Sequence, residues 1–292
     1  MAVNKPAKLT IQTTLTAFSE YLSEKAVDSP RLSAEMVLRK ILGITRLDIL
    51  VNSNNEVSEE AYTAMLPLIL RRGTGEPAAY IMGEREFFGR PFQVNPHTLI
   101  PRPETEHLIE AVVERFGDKD RFLFADLGTG SGCIATTIAA ELPHAHGVAV
   151  DLSAGALATA KRNLETNDVA QRVQCIRADF TTPLFKNNTF DLIATNPPYV
   201  SQSEYITLDP EVQQFEPKSA LVPDSSGLEH GIRLIELAAL WLKPSGFFIM
   251  EMGFWQGPDF MNEFSKNAFM WRDTAIIKDL SGHDRFVCGY KA

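Results

Sequence analysis

Two short motifs carry the residue types from which chemistry could be built. They are Asp126-Leu127-Gly128-Thr129-Gly130-Ser131-Gly132 and Asn196-Pro197-Pro198-Tyr199, the latter closing the strand-like run Phe190-Asp191-Leu192-Ile193-Ala194-Thr195. The glycines bring bare backbone close to a ligand, but a dinucleotide fingerprint would place its third glycine one position later, where Cys133 stands. The spacing therefore favours a nucleotide-like ligand without a pyrophosphate. In the second motif the Asn196 side-chain oxygen and the Pro197 carbonyl could accept both N–H groups of a planar NH2, and Tyr199 could cover one face. Pro197 and Pro198 stiffen the loop and supply no competing N–H. A carboxamide nitrogen is a poor nucleophile because its lone pair is delocalised, so hydrogen bonds that improve as it pyramidalises lower the barrier rather than merely aid binding. The pair points to methyl transfer onto a planar NH2, without need of a strong general base.

Two further strand tips complete a candidate donor site. Val148-Ala149-Val150 ends in Asp151, whose carboxylate could accept both hydroxyls of a ribose, and Val173-Gln174-Cys175-Ile176-Arg177-Ala178 delivers Asp179-Phe180, suited to the amino group and face of an adenine. Three successive tips thus match three parts of S-adenosylmethionine. The candidate cofactor-binding set is Asp126, Gly128, Thr129, Gly130, Ser131, Gly132, Asp151, Asp179, Phe180 and Asn196. The candidate catalytic and substrate-binding set is Asn196, Pro197, Pro198 and Tyr199. The plainer alternative is a tight strand-to-helix turn with Asp151 as a helix cap. His97, His107, His144, His146, His230 and His283 fit no metal or catalytic spacing, so surface or packing roles and no metal are expected.

These motifs must be positioned by regular elements. From Leu9 to Arg72 the period is helical: Leu15, Phe18 and Leu22 mark one helix, and Asp28-Ser29-Pro30 to Gly43 bound a second. A short one follows near Leu47 to Val51, and a last begins at Ser58-Glu59-Glu60. Between Glu76 and Asn95 that period stops, and Tyr80, Ile81, Phe87, Phe88, Phe92 and Val94 with Gly83 and Gly89 suggest a β-hairpin. Pro103 suits a first helical turn, with Leu108, Ile109, Val112, Val113 and Phe116 on one apolar face. Strands are expected at 121–126, 146–151, 173–178, 189–195, 245–251, 272–278 and 285–290, alternating with helices. That alternation predicts an α/β fold with a doubly wound, mostly parallel seven-stranded sheet and ligands at the strands' carboxyl ends. The expected division is a small helical bundle at 1–75, a hairpin linker at 76–97 and a catalytic domain at 98–292.

The 292 residues, 45% of them hydrophobic, suffice for one large domain and a small one. A formal net charge of −9 argues against broad binding to nucleic acid, which relies on Lys and Arg neutralising phosphates. Cys133, Cys175 and Cys288 lack metal-ligand spacing and read as reduced and structural. The polar start and the want of any apolar run near ~18 residues suggest a soluble, cytoplasmic protein.

Beyond the two motifs, five runs resemble the bacterial peptide chain release factor glutamine methyltransferases, the PrmC or HemK family, over nearly the whole chain. They are Pro77 to Gly83 with Glu86 to Gly89, Leu99-Ile100-Pro101-Arg102-Pro103-Glu104-Thr105-Glu106, Glu216 to Leu221, Glu251-Met252-Gly253 with Gln256, and Asp279 to Arg285. The resemblance implies the class I S-adenosylmethionine-dependent methyltransferase fold. It also implies methylation of the glutamine amide in the Gly-Gly-Gln tripeptide of class 1 release factors, with S-adenosylhomocysteine as product and the helical bundle helping to hold the protein substrate. A monomer without direct nucleic-acid or membrane binding is expected. The Ile-Pro-Arg-Pro-Glu-Thr-Glu run favours release factors over the sister family acting on a ribosomal protein, and by analogy it lies beside the active site; for Arg102 and Glu104 a salt bridge at a helix start is an equal reading, so neither is given a catalytic role. Ser226 to Gly231 departs from the family's usual Asp before the glycine and later Tyr, and Phe180 stands where Trp is common. The rival readings are methylation of an exocyclic amine in DNA or RNA, which shares the Asn-Pro-Pro-aromatic loop, and a non-catalytic S-adenosylmethionine-binding scaffold.

Overall fold

The computed structural model describes residues 3–223 and 226–292. The chain divides into two compact units, one running through Gly83 and including Asp209–Phe215, the other comprising Glu84–Leu208 and Glu216–Ala292.

The first unit contains helices α1 (Ile11–Glu24), α2 (Pro30–Leu42), α3 (Arg46–Val51), α4 (Glu59–Gly73) and α5 (Ala78–Met82). Each of the first four has an identifiable start. Thr10 and Thr13 exchange hydrogen bonds in a capping box at α1, Pro30 opens α2, Thr45 and Asp48 cap α3, and the Ser58 hydroxyl accepts from Ala61 N at α4. Glu59 and Glu60 in the first turn of α4 and Arg71 and Arg72 in its last complement the helix dipole. Leu15, Phe18, Leu22, Leu38, Met65 and Ile69 form its dry centre. The structure differs from the sequence expectation at Tyr80 and Ile81, which lie in α5 and not in a hairpin: Pro77 starts this single turn and Gly83, at φ +76°, ends it left-handed. Five residues are too few for a helical period to show.

The second unit opens with the hairpin of β1 (Glu84–Phe87) and β2 (Arg90–Gln93), turning through Phe88 and Gly89, both at positive φ. After a 3-10 turn at Pro103–Thr105 come α6 (Glu106–Phe116), β3 (Phe122–Leu127), α7 (Cys133–Glu141), β4 (Ala145–Asp151), α8 (Ala154–Thr166), β5 (Val173–Arg177) and β6 (Phe190–Thr195). Helices α9 (Gln202–Tyr205) and α10 (Pro210–Phe215, part of the first unit) follow, then α11 (Gly227–Trp241), β7 (Leu242–Glu251), α12 (Gly257–Lys266), β8 (Trp271–Lys278) and β9 (Asp284–Lys291). The seven-stranded sheet has the order β5-β4-β3-β6-β7-β9-β8, and only β9 runs antiparallel to its neighbours. Side chains alternate across it as strand geometry demands. Phe124, Leu192 and Ala194 join the core under α6, α7 and α8, whereas Ala125, Leu127 and Ile193 join the core under α11 and α12. The chain winds from β3 outward through β4 to β5, then crosses back to β6 on the other side of β3 and continues to β7, so the crevice at the carboxyl ends of β3 and β6 is the topological switch point. Among the described residues no helix is long and apolar enough to cross a membrane.

Asn163 on α8, fully buried, binds this unit's hairpin to its glycine loop: Oδ1 accepts from Gln93 N (2.8 Å), and Nδ2 donates to Gln93 O (3.0 Å) and Ser131 O (2.8 Å). Asn163→Ala leaves three backbone groups unpaired and is expected to lower unfolding free energy by about 3 kcal/mol, at roughly 1 kcal/mol per bond, as read by urea denaturation.

Candidate active site

A cavity of about 870 Å³ lies at the carboxyl ends of β3, β4, β5 and β6. The loop after β3 is its floor. Gly128 N and Thr129 N both donate to Val150 O at 2.9 Å, and Gly130 N donates to Asp151 Oδ2 at 2.9 Å, so the loop is tied to the neighbouring strand tip. Gly128 has φ +73°, and a Cβ there would stand 3.3 Å from the Phe180 ring. Backbone conformation and the aromatic neighbour thus both call for glycine. Gly132, at φ +79°, begins α7 and would crowd Ala160 with a side chain at 3.0 Å.

Asp126 sits beneath this loop with no exposure: Oδ2 accepts from the Thr129 hydroxyl (2.6 Å) and Ala135 N (3.0 Å), while buried Oδ1 has no partner among the described residues. Burial raises its carboxyl from 3.8 to about 7. Asp151 is anchored at both oxygens, by Gly130 N and by Ser153 N (2.8 Å), and each oxygen keeps a lone pair for another donor. Burial raises the pKa of its carboxyl as well. Asp179 Oδ1 accepts from Thr181 N (2.9 Å) and the Thr181 hydroxyl (2.6 Å), and those bonds lower its carboxyl. Phe180 is buried and meets His230 edge-on, with ring centroids 5.5 Å apart.

Of the residues nominated from sequence, Gly128, Thr129, Gly130, Ser131, Asp151, Asp179, Phe180, Asn196 and Pro198 line the cavity. Asp126, Gly132, Pro197 and Tyr199 are not on its wall. Tyr199 instead lies within electrostatic reach of Glu251, Arg285, Arg102 and Glu104, and burial pushes its phenol up. Its backbone is held from behind: Gln256 Nε2 donates to Tyr199 O (3.4 Å), and a Cβ on Gly227 would overlap that carbonyl.

Several residues outside the nominated sets stand at the site, Arg102 and Thr105 among them from the run expected beside it. His97 and His230, assigned to surface or packing, line the cavity, as do Arg102, Thr105 and Arg233. Thr105 Oγ1 accepts from Asn196 Nδ2 (3.3 Å) and donates to Glu251 Oε2 (2.7 Å). Glu251 ends β7, so the strand-tip rule that found Asp126, Asp151 and Asp179 would have found it too. Arg102 pairs with Glu216, at 2.6 Å, and makes no helix-start bridge with Glu104; the other Glu216 oxygen accepts from Ile100 N (3.0 Å). No cluster of three or more His, Cys, Asp or Glu suited to a metal occurs among the described residues.

Residues 13–83 match the model of the PrmC N-terminal domain and residues 104–212 that of the methyltransferase small domain. A release factor glutamine methyltransferase of Nitratidesulfovibrio vulgaris is 48% identical over 95% of this chain and 94% of its own length. The chain belongs to the release factor glutamine methyltransferase family. A second member, from Geobacter sulfurreducens, is 38% identical over 98% of both chains. The fold of this family member is shared with the catalytic domain of hMettl16 in complex with MAT2A 3'UTR hairpin 1, at a TM-score of 0.58 and 14% identity over 93% of this chain and 90% of that one.

In this release factor glutamine methyltransferase family member, burial also raises Glu251 from 4.5 to about 7, against the Thr105 hydrogen bond and nearby Arg285, which lower it. Two carboxyls therefore hold protons in the folded state that the unfolded chain has already released between about pH 4 and pH 7. Unfolding free energy should fall as pH rises through that window and level off above it. Urea titrations of the ligand-free protein should show that slope, and it should be shallower in Asp126→Asn and Glu251→Gln.

Proposed function

We propose that this chain methylates the side-chain amide nitrogen of the glutamine in the Gly-Gly-Gln tripeptide of class 1 peptide chain release factors, with S-adenosylmethionine as donor and S-adenosylhomocysteine as product. The observation that carries the reading is one cavity at the switch point bounded by Gly128 and Asp151 on one side and by Asn196 on the other. The donor fits this wall. Bare glycine backbone at Gly128 and Gly130, the spare lone pairs of Asp151 for a ribose, and Phe180 with Asp179 for an adenine are the groups a sulfonium nucleoside requires. When bound, that molecule supplies a methyl carbon made electrophilic by its positive sulfur.

The chain's own contribution is positional. Asn196 Oδ1 and the Pro197 carbonyl accept the two amide N–H groups, which favours the pyramidal nitrogen and aims its lone pair. Orientation of reactants is worth on the order of 7–11 kcal/mol, enough to supply much of the catalysis without a strong base. One N–H proton leaves to water once the nitrogen has become cationic. Tyr199 closes the loop among the charges beside it. Helical residues 1–75 serve as a docking surface for the release factor, and α3 there exposes Leu47, Leu50 and Val51, apolar area of the kind a protein partner covers. Residues 98–292 hold the catalytic site. The net charge of −9 disfavours the nucleic-acid alternative. A soluble monomer acting in the cytoplasm fits this substrate.

Labelled S-adenosylmethionine and unmodified release factor test the proposal directly. Asn196→Ala should retain donor binding and lose about 100-fold or more in turnover, as for removal of a preorganised transition-state partner; near-normal turnover refutes its role. Asp151→Ala should weaken donor binding about 10- to 100-fold, from hydrogen bonds to a charged group of roughly 1.5–3 kcal/mol. Replacing the tripeptide glutamine should abolish label incorporation, and label that persists identifies a different acceptor.

A further inference from the structure

We propose that Thr105 and Glu251 form a relay that fixes which way the Asn196 carboxamide faces, turning its oxygen toward the acceptor amide. This inference rests on the proposed glutamine methylation. The relay is directional by proton count. A carboxylate only accepts, so the single hydroxyl proton of Thr105 goes to Glu251 Oε2, at 2.7 Å. Thr105 Oγ1 is thereby left as an acceptor for Asn196, and the atom that meets it is Nδ2, at 3.3 Å. With the NH2 end held there, Oδ1 is the end left for a substrate N–H.

The opposite orientation would be useless for the reaction. An NH2 group facing the acceptor would oppose its N–H donors and favour nothing as the nitrogen pyramidalises. Isolated asparagine has little preference between the two, so the selection must come from its neighbours. Thr105 and Glu251 are both buried, which strengthens the bond between them. The charged and titratable groups facing Glu251 are Arg102, Glu104, Tyr199 and Arg285; burial outweighs the two arginines and raises its carboxyl to about 7, so the acceptor-only carboxylate form, and with it the relay, prevails above that pH. Neither Thr105 nor Glu251 is assigned contact with a reacting atom. Both are positioning residues that act through Asn196.

Thr105→Val keeps the shape and removes the hydroxyl; Thr105→Ser keeps the hydroxyl. In single-turnover assays with labelled donor, Thr105→Val should slow methyl transfer about 10- to 100-fold while donor affinity stays within about twofold, and Thr105→Ser should restore the rate to within about threefold of the parent. In an Asn196→Ala background, adding Thr105→Val should change the rate less than twofold, because the relay has nothing left to orient. A Thr105→Val rate equal to the parent overturns the proposal. So does equal damage from Val and Ser, which would mark simple packing. The Asn196 side-chain amide signals in 15N-edited NMR give a readout independent of turnover. They should shift in Thr105→Val and stay near the parent positions in Thr105→Ser, and unmoved signals in both overturn the relay. If the parent protein fails to label release factor yet the signals respond as expected, the proposed acceptor falls while the orientation of Asn196 stands.

Discussion

The site depends on a backbone loop that carries no bulky side chains and must nevertheless keep one shape. Residues 128–132 achieve this because their amides are committed to groups on the neighbouring strand: two to Val150 O and one to the Asp151 carboxylate. Asp126 holds the far side through Thr129 and the first turn of α7. A glycine-rich segment loses much conformational freedom on folding, and these bonds offset that cost at the place where a ligand must approach bare backbone. Because Asp151 both braces the loop and lines the cavity, the proposed donor recognition and the loop shape share a residue.

Much of the architecture was legible because parallel strands buried on both faces leave near-continuous apolar runs. The runs ending in Asp126, Asp151 and Thr195 needed no partner information, and their observed ends lie within a residue or so of those expected. Strand tips in a doubly wound sheet point at one crevice, so the placement of Asp151 and Asp179 on the cavity wall followed from sequence order alone. Helix α5 escaped because one turn has no period, and the hairpin partner Asn163 escaped because nothing local marks a buried asparagine in α8 as a cross-link.

The less legible part of the site is made of long-range pairs. Thr105 meets Glu251 across 146 positions, Arg102 meets Glu216 across 114, and Asn196 meets Thr105 across 91. Pairing of this kind is invisible to local pattern, since either residue alone is an ordinary polar side chain at an element's end. Tyr199 shows the same limit from the other side. Its place in the motif suggested a lid on a planar substrate, whereas its surroundings are arginine and glutamate side chains and its carbonyl is fixed by Gln256 and the approach of Gly227.

Those pairs also explain what the family-like runs outside the two motifs do. Glu216 clamps both the Ile100 amide and the Arg102 guanidinium, so the run ending at Glu106 is held where Thr105 can reach Asn196. Asp279 accepts from Ser281 N, His283 N and the Arg285 guanidinium, rigidifying the loop that brings Arg285 near Glu251 and Tyr199. Buried ion pairs contribute little net stability compared with apolar packing, so their value here is geometric. Each one removes an alternative arrangement of the wall behind Asn196. Glycine loops and Asn-Pro-Pro-aromatic loops are common to methyltransferases with very different acceptors, and a carboxamide selects for a wall that keeps one amide orientation. In this chain the runs at 99–106, 216–221, 251–256 and 279–285 meet behind Asn196 and build that wall.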